Sequence, residues 1–483
     1  MNDLFNIFNK TQCKSMGICS ENPVLLAVDA VVINEIRQIA YYIVKLKELN
    51  LINEKIMKEA VLALSVSITD TSFNKNAFVK FFMNLKNLKK ETEDFYTAKC
   101  KEMGINYEHL AAFPIKENEK INSSLLIKQG EKIISHFFGT LSEDKIRLFD
   151  LIIFMAKAAS CKILELENYK EVQKDEYFEI LRFLSLANSF GTRYEKLVRR
   201  IKEFSSFLYK LTEDIIYERN QLYGPRQNVR IPRSILKGKS ILVMGSDIFE
   251  LYNLLEKTKD TEINVYTNSS MMTAYIHPKF FEYKNFKGLY GTGDTEYDFS
   301  KFKGVIYVTE HSDIKLDNVI RGKIFTTKLI QSDNSTKIEK TDLDPLIKAA
   351  LAEEGFDREY VCEDVTFEYD KSVFNKLVEQ TEGKKVLISM GKISDSIKAD
   401  YTGSFVINVK FPYDTEKLIC LLNLLPQNEK TVCFSGFCVE TAKIIILILN
   451  KNLETLLEKS PQTNVSPHIA EAFEKDFKIK FIN

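Results

Sequence analysis

The sequence predicts a multidomain protein with a helical bundle in its N-terminal half and two α/β domains in its C-terminal half. Up to Tyr223 the apolar residues recur with the period of amphipathic helices. After Lys239 short apolar runs alternate with polar turns and helical stretches, as in parallel sheets. A chain of 483 residues is long enough for several cores. We place the domains at residues 1–235, 236–360 and 361–483.

The helical half begins at Pro23, a residue type well suited to the first turn of a helix. Apolar faces follow one another with short polar joints until Gly224 and Pro225 end the pattern. About six or seven helices joined in this way indicate one or two antiparallel bundles.

The second half contains apolar runs that we interpret as strands, at residues 240–244, 263–266, 305–308, 324–326, 386–389, 405–409 and 431–434. Helical stretches separate several of them, so parallel sheets in two Rossmann-like domains are expected. Ligands of such domains bind beyond the carboxyl ends of the strands. We therefore expect a polar strand-end pocket formed by Ser246, Asp247, Ser270, Glu310, His311 and Cys438.

Motifs for nucleotide binding are missing from this part of the sequence. No GxGxxG pattern follows the first strand, and the chain has no P-loop motif. A nucleotide ligand is therefore not indicated.

The amino-acid composition limits which binding partners and which cellular compartment we expect for this protein. Lys plus Arg and Asp plus Glu both number 67, so the net charge is zero and nothing favours nucleic acid or an anionic membrane. No apolar stretch reaches the roughly eighteen residues of a membrane span, and the start lacks the features of a signal peptide. Eight scattered cysteines indicate reduced thiols or metal ligands. We expect a cytoplasmic protein with neither a nucleic-acid nor a membrane partner.

Several segments carry a resemblance to a known family. They are "ILVMGSDIFELYNLLEKT", "INVYTNSSMMTAYIHPKFFEY", "GLYGTGD", "FKGVIYVTEHSD" and "GKIFTT", together with "TQCKSMGICSENP" near the start and the closing "NVSPHIAEAFEKDFKIKFIN". In order and spacing the chain resembles the hybrid-cluster (prismane, or hydroxylamine reductase) proteins, which are related to the nickel carbon monoxide dehydrogenases. The resemblance implies a helical domain followed by two α/β domains. It also implies a cubane near the N-terminus, a hybrid iron–sulfur–oxygen cluster between domains, and activity on hydroxylamine or nitric oxide.

The ligands of the hybrid cluster do not carry over to this chain. Ser246 stands where the family has a ligating histidine, Ser270 where it has a glutamate, and His311 where it has a cysteine. The family's late glutamate falls at about Cys438, and Cys420 alone represents the cysteines expected between residues 390 and 426. Because iron clusters need thiolates, we do not expect this chain to assemble a hybrid cluster.

Cys13 and Cys19, in the run "CKSMGIC", are the most specific metal signal in the sequence. The resemblance places the first two cysteines of the family's motif at Met1 and Leu4, so one chain supplies two thiolates where a cubane needs four. A homodimer with two-fold symmetry would bring two pairs around one shared [4Fe–4S] cluster. Similarity to the carbon monoxide dehydrogenases supports such an arrangement. The alternative is a pair of free thiols left after loss of a cluster.

Four functional hypotheses remain open. The chain is a degenerate family member with one [4Fe–4S] cluster and a role in electron transfer, sensing or assembly, served by an electron-transfer protein partner. Alternatively it is an enzyme with a rebuilt metal site that uses His311, Cys438 and either Asp247 or Glu310. The third hypothesis is a metal-free scaffold or binding protein. The fourth is an oxidoreductase of the hydroxylamine reductase type.

Overall fold

The computed structural model describes residues 23–66, 73–110, 121–188, 190–268, 271–290, 299–309, 322–367, 379, 386–390, 405–409, 430–435, 454–458, 475 and 480–482. The chain divides into two compact units, and both are discontinuous in sequence. The first unit comprises residues 1–65, 78–215 and 381–483, and the second comprises residues 66–77 and 216–380.

Long helices make up the described part of the N-terminal half. They are α1 Pro23–Glu48, α2 Glu54–Ser65, α3 Lys75–Glu102, α4 Ser123–Thr140, α5 Glu143–Leu166, α6 Lys174–Ser185 and α7 Tyr194–Tyr223. Helix α1 contains Pro23, the residue at which the sequence predicts a helix start.

Helix α1 lies at the centre of this bundle, where it packs against α4 and α6. Its residues are buried on almost every side, including the polar Arg37. The Arg37 side chain donates to Asn188 Oδ1 at 3.2 Å, and the Asn188 amide donates to the Arg37 carbonyl at 2.7 Å. A buried cation on α1 is thus tied to the segment that follows α6.

Two contacts show how closely the helices pack. A Cβ atom added to Gly130 of α4 would lie 1.9 Å from the carbonyl oxygen of Ala27 in α1, so only glycine permits this approach. The rings of Phe183 in α6 and Phe204 in α7 stack with their centroids 3.8 Å apart. The apolar faces of the sequence therefore meet in a dense core.

A six-stranded parallel sheet forms the core of the second unit. Its strands are β2 Ser240–Met244, β3 Asn264–Thr267, β4 Phe286–Leu289, β5 Val305–Val308, β6 Ile324–Thr326 and β7 Ser335–Lys337, with helices α8 Ile248–Thr258, α9 Met272–Tyr275 and α10 Asp344–Ala352. The spatial order is β4-β3-β2-β5-β6-β7. Numbered within the sheet this is 3-2-1-4-5-6, the order of dinucleotide-binding Rossmann folds.

A five-stranded parallel sheet lies in the C-terminal part of the first unit. Its strands are β9 Val386–Met390, β10 Phe405–Val409, β11 Lys430–Ser435, β12 Glu454–Glu458 and β13 Lys480–Ile482, in the order β10-β9-β11-β12-β13. Within the sheet this order is 2-1-3-4-5, the second common arrangement of doubly wound folds.

Smaller antiparallel pairings in the second unit involve segments outside these sheets. Strand β1 Val229–Ile231 pairs antiparallel with β8 Val365–Phe367. Phe73, from the segment before α3, forms an antiparallel bridge with Ser332, and the Asn74 amide donates to Asp333 Oδ1 at 2.9 Å. A piece of the N-terminal half therefore belongs to the second unit.

The mixed helical and α/β architecture with parallel sheets is confirmed. The run expected at residues 263–266 is observed one residue later, as β3. The sequence pattern missed strands β1, β4, β7, β8, β12 and β13. The division into three domains at residues 235 and 360 stays a prediction.

Candidate functional site

The candidate site lies at the carboxyl ends of β2 and β5, where the order of the six-stranded sheet reverses direction. Connections leave these neighbouring strands toward opposite faces of such a sheet, and ligands of doubly wound folds bind in the resulting crevice. Gly245 follows β2 with φ of +120°, a conformation that favours glycine and turns the chain into α8. This turn places the next two residues, Ser246 and Asp247, at the crevice.

Those two residues have different surroundings. Ser246 is exposed, whereas Asp247 is buried and forms the N-cap of α8. Asp247 Oδ1 accepts hydrogen bonds from the backbone N–H groups of Phe249 at 3.0 Å and Glu250 at 3.2 Å. Aspartate is favoured there because its carboxylate satisfies N–H groups that lack partners within the helix and interacts favourably with the helix dipole.

Glu250, in the first turn of α8, is buried although it carries a carboxyl group. Its Oε2 atom accepts hydrogen bonds from the Tyr307 hydroxyl on β5 and from the Thr327 hydroxyl after β6, the latter at 2.8 Å. Three elements of the unit thus converge on one side chain. Burial is the main cause that raises the pKa of Tyr307, followed by the charge of Glu250.

Lys340 supplies the positive charge of this site. Its Nζ atom lies 2.9 Å from Glu250 Oε1 and 3.4 Å from Asp247 Oδ2, and 45% of its side chain is exposed. Burial, and next the charge of Asp247, raise the pKa of Glu250, and Lys340 opposes both effects. We call Asp247, Glu250, Tyr307, Thr327 and Lys340 the Lys340 cluster.

The ends of the neighbouring strands are hydrogen-bonded to β2. The Thr309 N–H and hydroxyl both donate to the carbonyl oxygen of Met244, at 2.9 and 3.2 Å. On the other side, the Asn268 N–H donates to the Val243 carbonyl at 3.1 Å, and Asn268 Oδ1 accepts from the Gly245 N–H at 3.4 Å. These bonds continue the sheet beyond its last regular residues and place polar groups at the described strand ends.

The Lys340 cluster does not fit an iron–sulfur cluster. It offers carboxylates, hydroxyls and one ammonium group, whereas such clusters are held by thiolates. Across the residues that the structure describes, no group of three or more His, Cys, Asp or Glu side chains could hold a metal ion. The arrangement can instead neutralise buried charge and hold the start of α8 against β5 and β6.

The structure brings two of the predicted pocket residues together at one strand end, Ser246 and Asp247. Ser270, Glu310, His311 and Cys438 lie outside the described residues, as do the metal-ligand candidates Cys13 and Cys19. Sequence reasoning missed the other four members of the Lys340 cluster. Glu250 follows Asp247 at the spacing of a capping box, and that signal could have indicated it.

Two features now define the class of protein: a helical bundle and two parallel sheets with doubly wound strand orders. The sequence matches the Prismane/CO dehydrogenase family over residues 7–406. The chain belongs to this family. No helix in the described part of the chain is long and apolar enough to cross a membrane.

Several relatives are hydroxylamine reductases. Identity is 25% over 371 residues with that of Acidiphilium cryptum (strain JF-5), covering 76% of this chain and 66% of the relative. With the hydroxylamine reductase of Thermodesulfovibrio yellowstonii (strain ATCC 51303 / DSM 11347 / YP87), identity is 24% over 387 residues. This alignment covers 77% of this chain and 69% of the relative. With the hydroxylamine reductase of Zymomonas mobilis subsp. mobilis (strain ATCC 31821 / ZM4 / CP4), identity is 25% over 352 residues. This alignment covers 72% of this chain and 63% of the relative. The chain therefore spans about two thirds of the length of these relatives.

Among solved structures, the chain aligns with the α subunits of an acetyl-CoA synthase/carbon monoxide dehydrogenase that contain NiZn[Fe4S4] and NiNi[Fe4S4] clusters. The alignment covers 99% of this chain and 86% of that chain, with 10% sequence identity and a TM-score of 0.41.

Proposed function

We propose that this chain is a degenerate member of the prismane family that has lost the hybrid-cluster site and serves as an iron–sulfur protein in electron transfer, sensing or an accessory role. Ser246 carries the proposal. It follows the first strand of the six-stranded sheet, where the resemblance implies a ligating histidine, and a serine hydroxyl is a poor substitute for an imidazole as an iron ligand.

The surroundings of Ser246 support this proposal. The adjacent Asp247 carboxylate is engaged with the start of α8 and with Lys340, so it does not replace the missing imidazole as a free ligand. Ser270 and His311 stand in the sequence where the resemblance implies two further ligands. Replacement of three ligands of different chemistry is more than a change of metal preference.

For the cofactor we propose one [4Fe–4S] cluster shared by a homodimer, held by Cys13 and Cys19 of each chain. Two thiolates per chain leave half of the ligand set to the partner copy, and two-fold symmetry supplies the same pair again. An electron-transfer protein would exchange electrons with such a cluster. The competing proposal for this segment is a pair of free thiols.

A second candidate function is hydroxylamine reduction, which the relatives' names favour. Anaerobically purified protein, assayed with hydroxylamine and a reduced dye, distinguishes the two candidates. We expect no turnover above the rate of the dye and buffer alone. Turnover at rates typical of an enzyme would refute the loss of the hybrid-cluster site and favour the reductase or a rebuilt metal site.

Iron and sulfide analysis of the same preparation tests the cofactor. We expect about four irons per two chains, since one cubane serves the dimer. Cys13→Ser should remove the iron and weaken the dimer together, whereas Cys362→Ser should change neither, because that exposed cysteine is not part of the motif. A colourless protein after iron–sulfur reconstitution would instead favour a metal-free scaffold. A monomer that binds a whole cluster would exclude the shared arrangement.

A further inference from the structure

The strand order of the six-stranded sheet raises a question that is independent of the iron chemistry. In sheets of order 3-2-1-4-5-6, the helix after the first strand commonly receives a phosphate group of a nucleotide at its N-terminus. The corresponding helix here is α8, which follows β2 directly. What occupies the start of α8 therefore decides whether this sheet can bind such a ligand.

The first N–H groups of α8 already have an anion. Asp247 Oδ1 accepts from the N–H groups of Phe249 and Glu250, two of the groups that would otherwise point to a ligand. The other oxygen, Oδ2, faces the ammonium group of Lys340 at 3.4 Å. A carboxylate bound on one side by backbone N–H groups and on the other by a lysine has the environment of a bound phosphate in a nucleotide site.

The position of Lys340 strengthens this comparison. It reaches the start of α8 from the segment after β7, which lies at the far edge of the sheet from β4. Lys340 also contacts Glu250, so its charge is shared between two acidic side chains. Thr309 and Asn268 are hydrogen-bonded to the end of β2, one on either side of the turn.

We infer that Asp247 is a built-in substitute for a bound anion, held by α8 and Lys340, and that it occupies the place at the start of α8 where the phosphate group of a ligand would bind. The ligand position of the fold is filled by the chain itself. A ligand that binds through a phosphate group at the start of this helix is then excluded.

Substitution of Asp247 by serine tests the inference. Serine is a good N-cap but carries no charge, so the variant Asp247→Ser should fold and leave Lys340 facing an empty anion position. Inorganic phosphate should then raise its melting temperature by roughly 2–6 °C at concentrations well above the dissociation constant. Wild-type protein should show no shift beyond that produced by sodium chloride at equal ionic strength.

The double variant Asp247→Ser, Lys340→Met is the matched control, because it keeps the serine cap and removes the cation. It should lose the response to phosphate. If Asp247→Ser does not fold, Asp247→Asn keeps the cap and removes the charge, and it should respond to phosphate in the same direction. Wild-type protein that responds as strongly as the variant, or single variants that do not respond, would overturn the inference.

Discussion

Removal of the Lys340 charge is the most informative perturbation of the second unit. In Lys340→Met the aliphatic part of the side chain is retained, while Asp247 and Glu250 lose their shared cation. The two carboxyl groups then face each other at the buried start of α8. We expect the variant to fold but to be destabilised.

The size of this effect is worked from the distance between Lys340 Nζ and Glu250 Oε1. At 2.9 Å and an effective dielectric constant of about 20, one charge pair is worth about 6 kcal/mol before solvation is counted. Because 45% of the lysine side chain is exposed, water already screens the pair and much of that value is offset. Protonation of Glu250 limits the loss further. We therefore expect a net destabilisation of about 1–3 kcal/mol near neutral pH.

The pH dependence has a definite sign. The pKa of Glu250 is raised in the folded protein, so the folded state holds its proton more tightly than the unfolded chain. This contribution is fully present below the ordinary pKa of a glutamate and is lost as the pH rises through the folded value. Loss of Lys340 raises that pKa further. The difference between wild type and variant should consequently be small near pH 5 and increase toward pH 8.

Hydrogen exchange of peptides that cover α8, together with urea unfolding followed by circular dichroism, measures this effect. Lys303→Met is the control, because Lys303 pairs with Asp357 at the surface, at 2.9 Å, and does not contact the Lys340 cluster. It should leave exchange in α8 unchanged. A loss in Lys340→Met that is equal at pH 5 and pH 8, or larger at pH 5, would refute the charge assignment of the cluster.

Two further predictions concern the helical bundle. Gly130→Ala should cause severe destabilisation or insoluble expression, because the added Cβ would overlap the Ala27 carbonyl. The control is Gly139→Ala in the same helix, whose Cβ would meet nothing within 4 Å. This variant should be neutral or slightly stabilising in thermal melts. Lys157→Met removes the partner of Asp29, whose side chain is only 12% exposed and whose pKa is raised mainly by burial. The variant should lose about 3 kcal/mol of unfolding free energy at pH 8 in urea unfolding, and less at pH 5. Equal losses for the two glycine variants, or a Lys157→Met loss that does not diminish toward pH 5, would contradict these explanations.

Two of the parallel strands that the sequence predicted well, β2 and β5, are buried on both faces. Apart from Ser240 at the start of β2, strands β2 and β5 are continuous apolar runs, and every residue in them is buried. Such strands can be recognised in a sequence because both faces of a parallel sheet are covered, so nearly all of their residues are apolar. Strand β7, by contrast, reads Ser-Thr-Lys at the edge of its sheet and carries no apolar signal. Edge position therefore explains why this strand was missed.

The Lys340 cluster could be predicted only in part, for a related reason. Asp247 lies between a strand and a helix that the sequence pattern both predicts, so its position at the strand end could be predicted. Lys340 lies 93 residues further along the chain, and only the fold brings it to the same edge. Thr327 and Tyr307 depend in the same way on the order of the strands, which the local pattern does not specify.

The bridge between Phe73 and Ser332 has a consequence for how the protein is made. Residues 66–77 belong to the second unit, and the Asn74–Asp333 hydrogen bond spans 259 positions of sequence. The first unit in turn includes residues 381–483, so each unit combines early and late parts of the chain. During synthesis neither unit can be completed before residues far beyond the bundle have emerged, and contacts of such long separation form slowly. An expression fragment that starts at residue 236 would lack the Phe73 segment, so a fragment of the second unit should be co-expressed with that segment.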